Sequence, residues 1–227
     1  MMKKAKDKSR IFIVDDHPIM RDGIAQLVNQ QPDLEVCGEA SSAPEALEAL
    51  DRVAPDLMLV DISLTGMDGI ELIKIVRKRR PGLPTLVLSM HAEALYAERS
   101  VRAGAKGYVM KHASPETLLE AMRRVLAGKL FLSPEMTEKL LEKAAGDGLA
   151  GNESPIAALS DREVEIFKLI GQGLKPQRIS EELHLSVKTV ETYYSRIKQK
   201  LGLKDASELL QMAISWRGCF DESKNAK

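Results

Sequence analysis

The sequence predicts a chain in two parts: an α/β domain built on a doubly wound, five-stranded parallel sheet, then a small all-α domain. Three observations predict this. Between Arg10 and about Gly128, strand-like runs alternate with helical patterns five times. Most of these runs are continuously apolar, as buried parallel strands with helices over both faces must be. After Ser160 only helical periodicity remains. Right-handed crossovers then wind the five strand–helix units into a doubly wound sheet.

Taken in order, Ile11–Val14 is strand-like, and Ile19, Ile24, Leu27 and Val28 form the stripe of a helix. "LEVCGEA" (Leu34–Ala40) alternates as a strand, and Ala43–Val53 reads as a helix. "DLMLVD" (Asp56–Asp61) is an apolar strand ending in a carboxylate. Gly69–Arg79 follows as a helix, with Asp68 at the N-cap and Glu71 answering it. "LPTLVLS" (Leu83–Ser89) is the fourth strand, Glu93–Arg102 a helix, and "KGYVM" (Lys106–Met110) the fifth strand. Ser114 caps the next helix, with Pro115 at its first position. Ser133–Ala145 is expected to be helical. Gly146–Ser154, dense in Gly, Asn and Ser, is expected to be a flexible loop. "SDRE" (Ser160–Glu163) is a capping box that opens three or four short helices. The expected divisions are a first domain over 10–128, a linker over 129–154 and a second domain over 155–217.

Composition excludes more than it selects. The 227 residues carry 33 basic and 33 acidic side chains, so overall charge points to no partner. The two cysteines, Cys37 and Cys219, form no disulfide framework, which fits a reducing, cytoplasmic setting. The basic start, MMKKAKDKSR, is followed by no long apolar run, so neither a signal peptide nor a membrane span is expected.

In a doubly wound sheet, function gathers beyond the C-terminal strand ends. Those ends supply Asp15 and Asp16, Asp61, Ser89 and, after the fifth strand, Lys111. Three converging carboxylates repel and raise one another's pKa unless a cation joins them. A hard divalent ion such as Mg²⁺ suits oxygen ligands. A carboxylate there can act as a nucleophile toward phosphorus, with the lysine and the hydroxyl receiving phosphoryl oxygens. His17 reads as a turn residue beside Pro18, because no second His or Cys lies near it.

"VDDHP", "LVDISLTGMDG", "LSMHA" and "GAKGYVMK" together resemble the receiver domain of bacterial response regulators, which has a flavodoxin-like fold. The resemblance implies that Asp61 is the phosphoacceptor. It implies that Asp16, Asp61 and the Ser63 carbonyl bind Mg²⁺, with Asp15 acting mostly through water. It also implies that Ser89 and Lys111 contact the phosphoryl group and that Tyr108 is a switch residue. Two positions depart from the common pattern. Thr65 and His112 stand where many receivers have proline, and a cis Lys111–His112 peptide would cost about 3 kcal/mol, more than a cis peptide before proline.

In "LSVKTVETYYSRIKQKLGL" (Leu185–Leu203), Val187, Val190, Tyr194, Ile197 and Leu201 form one apolar stripe behind a Ser186 N-cap. The opposite face carries Lys188, Glu191, Thr192, Ser195 and Gln199. Between Ser186 and Lys204 five bases stand against one acid, a surplus suited to phosphates. "KPQRISEELHL" (Lys175–Leu185) precedes it across a tight turn at His184–Ser186, giving a helix-turn-helix layout whose second helix can enter a major groove. The stretch from Leu159 to about Ile214 resembles the LuxR-type DNA-binding domain. It departs from that family at Lys175–Pro176 and at Glu191. The expected DNA contacts are Lys188, Thr189, Glu191, Thr192, Ser195, Arg196, Lys198 and Lys200.

Together the halves are similar to response regulators of the NarL/FixJ type. That resemblance implies a sensor histidine kinase and promoter DNA as partners, a homodimer in the phosphorylated or DNA-bound state, and a regulator rather than an enzyme. One rival is a metal-dependent phosphohydrolase with an aspartyl nucleophile. Such enzymes often place a second acid two residues on, where this chain has Ser63. The other rival is a transcription factor whose first domain is only an interaction module, against which the complete acid, serine and lysine set argues.

Overall fold

A computed structural model describes residues 8–90, 93–144, 155–183 and 185–216. The expected flexible loop, His184 of the expected turn, and Cys219 lie outside the described residues. The chain divides into two compact units, Met1–Asp147 and Gly148–Lys227.

The first unit alternates β1 (Ser9–Val14), α1 (Pro18–Asn29), β2 (Leu34–Ala40), α2 (Ala43–Ala49), β3 (Leu57–Asp61), α3 (Gly69–Arg79), β4 (Thr85–Ser89), α4 (Glu93–Ala103), β5 (Gly107–Met110) and α5 (Pro115–Leu126). All strand pairs are parallel, in the order β2-β1-β3-β4-β5. One face packs Ile11, Ile13, Leu57, Leu59, Leu86, Leu88 and Val109 against Ile24 and Val28 of α1 and Leu118, Met122 and Val125 of α5. Because successive strand residues point to opposite faces, Phe12, Met58, Val60 and Val87 turn to the side that α2, α3 and α4 cover, and these too are fully buried. That two-sided burial is why the strands read as unbroken apolar runs.

Helix ends follow local chemistry. Ser114 accepts from the Thr117 N–H (3.3 Å) and Pro115 opens α5. Asp68 accepts from the Ile70 N–H (2.7 Å) at the start of α3, while Glu71 pairs with Lys74 (3.0 Å). α2 stops earlier than its pattern suggests. Val53 N–H still reaches the Ala49 carbonyl (3.0 Å), but as a turn, because Pro55 biases the residue before it away from helix. The helix expected after the first domain forms as α6 (Pro134–Ala144), which packs on α4, with Ser133 N–H donating to Glu93 Oε1 (2.8 Å). The described peptides, including Lys111–His112, are trans.

The second unit holds a 3-10 turn (Pro155–Ala158), α7 (Asp161–Gly171), α8 (Pro176–Glu182), α9 (Val187–Leu201) and α10 (Ala206–Ser215). The Ser160–Glu163 capping box is complete: Ser160 Oγ accepts from Glu163 N–H, and Glu163 accepts from Ser160 N–H (2.6 Å). Ile166, Phe167, Ile179, Val190, Ile197, Leu209 and Ala213 form its core. Ser186 caps α9, and Gly202 ends it in a left-handed conformation (φ 69°) that favours glycine. No described helix is long and apolar enough to cross a membrane.

Candidate functional sites

The sheet order changes direction between β1 and β3, and a crevice opens beyond the strand ends at such a point. Asp61 is the last residue of β3, and Asp15 and Asp16 directly follow β1. Asp15 and Asp61 are each 2% exposed. From the end of β5, Lys111 places its Nζ 2.8 Å from both Asp15 Oδ2 and Asp61 Oδ2. Only the Asp61 contact has hydrogen-bond geometry; the other is an ion pair. Ser63 N–H donates to Asp61 Oδ1 (3.2 Å), and Ser89, ending β4, is fully buried. Gly69 lets the start of α3 approach the end of β3. Its N–H binds the Ile62 carbonyl (2.9 Å), and a Cβ there would lie 2.0 Å from the Asp61 carbonyl oxygen.

Burial pushes the Asp61 carboxyl above the ordinary carboxylate value, against the pull of the Lys111 charge and hydrogen bond; Asp15 pushes it further up and the Ser63 N–H draws it down. Burial pulls Lys111 down, but Asp61 and Asp15 outweigh it and hold the ammonium above its usual value. Lys111 therefore pairs with Asp15 and Asp61, and no lysine or arginine pairs with Asp16 among the described residues. Asp15 Oδ2 and Asp16 Oδ1 are buried acceptors that receive no hydrogen bond. Asp15, Asp16, His17 and Asp61 each offer a donor atom, all within 4.8 Å of one another. Clustered carboxylate oxygens short of positive charge and hydrogen bonds fit a hard divalent cation.

Two neighbours of this cluster escaped the sequence reading. His17 is the N-cap of α1 by backbone, consistent with a turn residue, but its side chain makes no cap bond. Its ring instead lies over the acids, with Nδ1 2.9 Å from Asp16 Oδ1 and 3.2 Å from Asp15 Oδ1. Thr65 donates both its N–H (3.1 Å) and its hydroxyl (2.7 Å) to Asp16 Oδ2. The adjacent "DD" hints at the first. Nothing local hints at the second.

The apolar stripe of α9 is buried at Val190 and Ile197, half-buried at Tyr194 and Leu201, and exposed at Val187 in the open first turn. Burial pushes the Tyr194 phenol up to about 12, so it stays neutral. Lys188, Glu191, Thr192, Ser195 and Arg196 stand on the exposed face. Thr192 and Ser195 donate their hydroxyls back to the Lys188 (2.9 Å) and Glu191 (3.1 Å) carbonyls, leaving oxygen lone pairs and the threonine methyl for a partner. Two expected contacts are engaged elsewhere. Thr189 Oγ1 shares a hydrogen bond with the Ser186 cap (2.7 Å). Lys200 Nζ is bound to Glu163 Oε2 at 2.6 Å, and Glu163 is only 3% exposed. Lys200, three residues after Ile197 on the border of the buried stripe, thus ties α9 to α7 through its ammonium while the rest of its side chain stays partly exposed.

Residues 11–123 match the response regulator receiver domain, and residues 157–213 match the bacterial regulatory proteins of the luxR family. The chain belongs to the response regulators with a LuxR-type DNA-binding domain. It is 35% identical to the oxygen regulatory protein NreC of Staphylococcus carnosus over 209 residues, covering 90% of this chain and 96% of that one. It is also 35% identical to the transcriptional activator protein ExaE of Pseudomonas putida, covering 90% and 95%. Among solved structures, a LuxR-family response regulator from Aurantimonas sp. SI85-9A1 superposes with a TM-score of 0.56 at 34% identity, over 61% of this chain and 99% of that chain. RcsB of Salmonella enterica, bound to the rprA promoter in the presence of the phosphomimetic BeF₃⁻, gives 0.58 at 26% identity over 92% and 99%. This response regulator is therefore a transcription regulator by family, not an enzyme. Its receiver carries an acidic cluster of the kind that binds Mg²⁺.

Proposed function

We propose that Asp61 accepts a phosphoryl group from a sensor histidine kinase, and that the phosphorylated chain binds promoter DNA through α9, as a homodimer and in the cytoplasm. The observation that carries this reading is the Asp61 carboxylate at the end of β3. Lys111 holds one of its oxygens and the Ser63 N–H the other, with Asp15 and Asp16 alongside. An Asp61 oxygen attacks phosphorus as the bond from phosphorus to the donor imidazole breaks. Lys111 then faces the transferred group, and Ser89 supplies a hydroxyl to one of its oxygens. Asp15, Asp16, Asp61 and the Ser63 carbonyl would hold Mg²⁺, which when bound neutralises charge on the transferring oxygens. Tyr108, 2% exposed on β5, is the switch residue that reports the new charge.

On the DNA side, Lys188, Arg196 and Lys198 contact phosphates, while Glu191, Thr192 and Ser195 reach base edges. The RcsB complexes, one with promoter DNA and one of two dimers on two DNAs, support promoter binding and a dimer by likeness. The test is Mg²⁺-dependent incorporation of phosphate from a small phosphodonor. Wild type should be labelled and gain promoter affinity at fixed salt, whereas Asp61→Asn should do neither. Labelling of the Asn variant at the wild-type rate, or equal affinity of both phosphorylation states, refutes the reading.

A further inference from the structure

Thr65 lies in the loop between β3 and α3, four residues beyond Asp61. Its N–H and its hydroxyl converge on a single oxygen, Asp16 Oδ2, at 3.1 and 2.7 Å. The same loop carries Ser63, whose N–H holds Asp61. The other oxygen of Asp16, Oδ1, is buried and receives no hydrogen bond; His17 Nδ1 lies 2.9 Å from it, outside hydrogen-bond geometry. One oxygen of this carboxylate is therefore fixed by two donors, while the other keeps its lone pairs uncommitted within the acidic cluster.

We infer that Thr65 is a positioning residue for the divalent cation: it clamps Asp16 through Oδ2 so that Oδ1 is presented as a ligand, and it ties that ligand to the loop bearing Ser63. The inference rests on the Mg²⁺ reading given above. Two effects oppose each other in such a clamp. Hydrogen bonds draw charge from the carboxylate and weaken its pull on a cation. They also remove the rotamer freedom that the aspartate would otherwise lose on binding. Outer-shell donors generally strengthen a site, by about 10–100-fold in affinity, so ordering wins. The chemistry of residue 65 then sets a graded series. Serine keeps both donors, valine keeps only the N–H, and proline keeps neither.

The experiment is calorimetric titration of Mg²⁺ into the full unphosphorylated chain at constant ionic strength, for wild type, Thr65→Ser, Thr65→Val, Thr65→Pro and Asp16→Ala. Thermal unfolding of each metal-free chain is followed in parallel. The expected result is a Kd unchanged in the serine variant and higher in the valine variant. In the proline variant it should be higher still, by about tenfold. A valine variant that melts early yet binds Mg²⁺ as wild type does would make Thr65 merely structural and overturn the inference. Failure of serine to retain wild-type affinity would overturn it too. Should the proline variant fail to fold, the serine–valine comparison alone decides. If wild type shows no Mg²⁺ binding, or Asp16→Ala binds equally well, the metal reading itself falls and the inference with it.

Discussion

Replacing Lys200 with alanine should destabilise the helical unit and leave phosphate binding nearly untouched. The sequence pattern places Lys200 among the basic residues of a DNA-reading helix, but its Nζ sits 2.6 Å from Glu163 Oε2. That same oxygen also accepts from the Ser160 N–H (2.6 Å), so the variant keeps one hydrogen bond on a carboxylate that is only 3% exposed. A hydrogen bond to a charged group contributes about 1.5–3 kcal/mol. Lys200 is 40% exposed, so water screens the pair, and about 1–2 kcal/mol is expected. With a urea slope near 1 kcal/mol/M for so small a unit, the midpoint should fall by roughly 1–2 M. The chain has one tryptophan, Trp216, which follows α10, so its fluorescence follows this unit within the full-length protein. The pH dependence has a defined sign. Burial pushes Glu163 up, but the Lys200 hydrogen bond and the Ser160 groups outweigh it, so its carboxyl lies below the ordinary value. The pair's contribution is therefore present above the ordinary glutamate range and is lost as pH falls through the lowered value, where wild type and variant should converge. In DNA titrations, Lys188→Ala should reduce the log–log salt slope by about one, and Lys200→Ala should not. An unchanged urea midpoint together with a slope reduced by one in Lys200→Ala would refute the brace and restore a phosphate contact.

Two further outcomes follow from the geometry. Gly69→Ala must displace backbone, since the new Cβ would stand 2.0 Å from the Asp61 carbonyl oxygen; a loss of about 3 kcal/mol is expected by circular dichroism melting, with slower Mg²⁺-dependent labelling of Asp61, and a neutral substitution would contradict the close packing of α3 on β3. Glu191→Ala and Thr192→Ala should each change base preference at one position by roughly 1–3 kcal/mol with little change in salt slope, and binding-site selection that returns the wild-type preference for both would put another face of α9 against the bases.

How much could be read in advance depended on how far apart the partners lie in sequence. The strand ends were legible because each buried apolar run stops abruptly at a polar side chain, and a parallel sheet brings such ends to one edge whatever the loops do. Asp15, Asp16, Asp61, Ser89 and Lys111 therefore needed only the strand assignment. Caps were legible for the same reason: Ser114, Ser160 and Ser186 act on the N–H three residues on. The Thr65 clamp and the Lys200 brace were not, since each joins groups whose meeting depends on how a loop turns or how two helices pack. Yet both could have been narrowed by physical bookkeeping. Glu163 is the fourth residue of a capping box that opens an apolar helix; its carboxylate turns back to the Ser160 N–H and is buried there, so a cation within reach stabilises it. Lys200 lies on the border of the α9 stripe, within reach of that core. Periodicity sorts a helix into an inner and an outer face. Residues on the border between them are the ones whose long side chains can serve either, and there the buried carboxylate, not the distant phosphate, has the stronger claim on the ammonium.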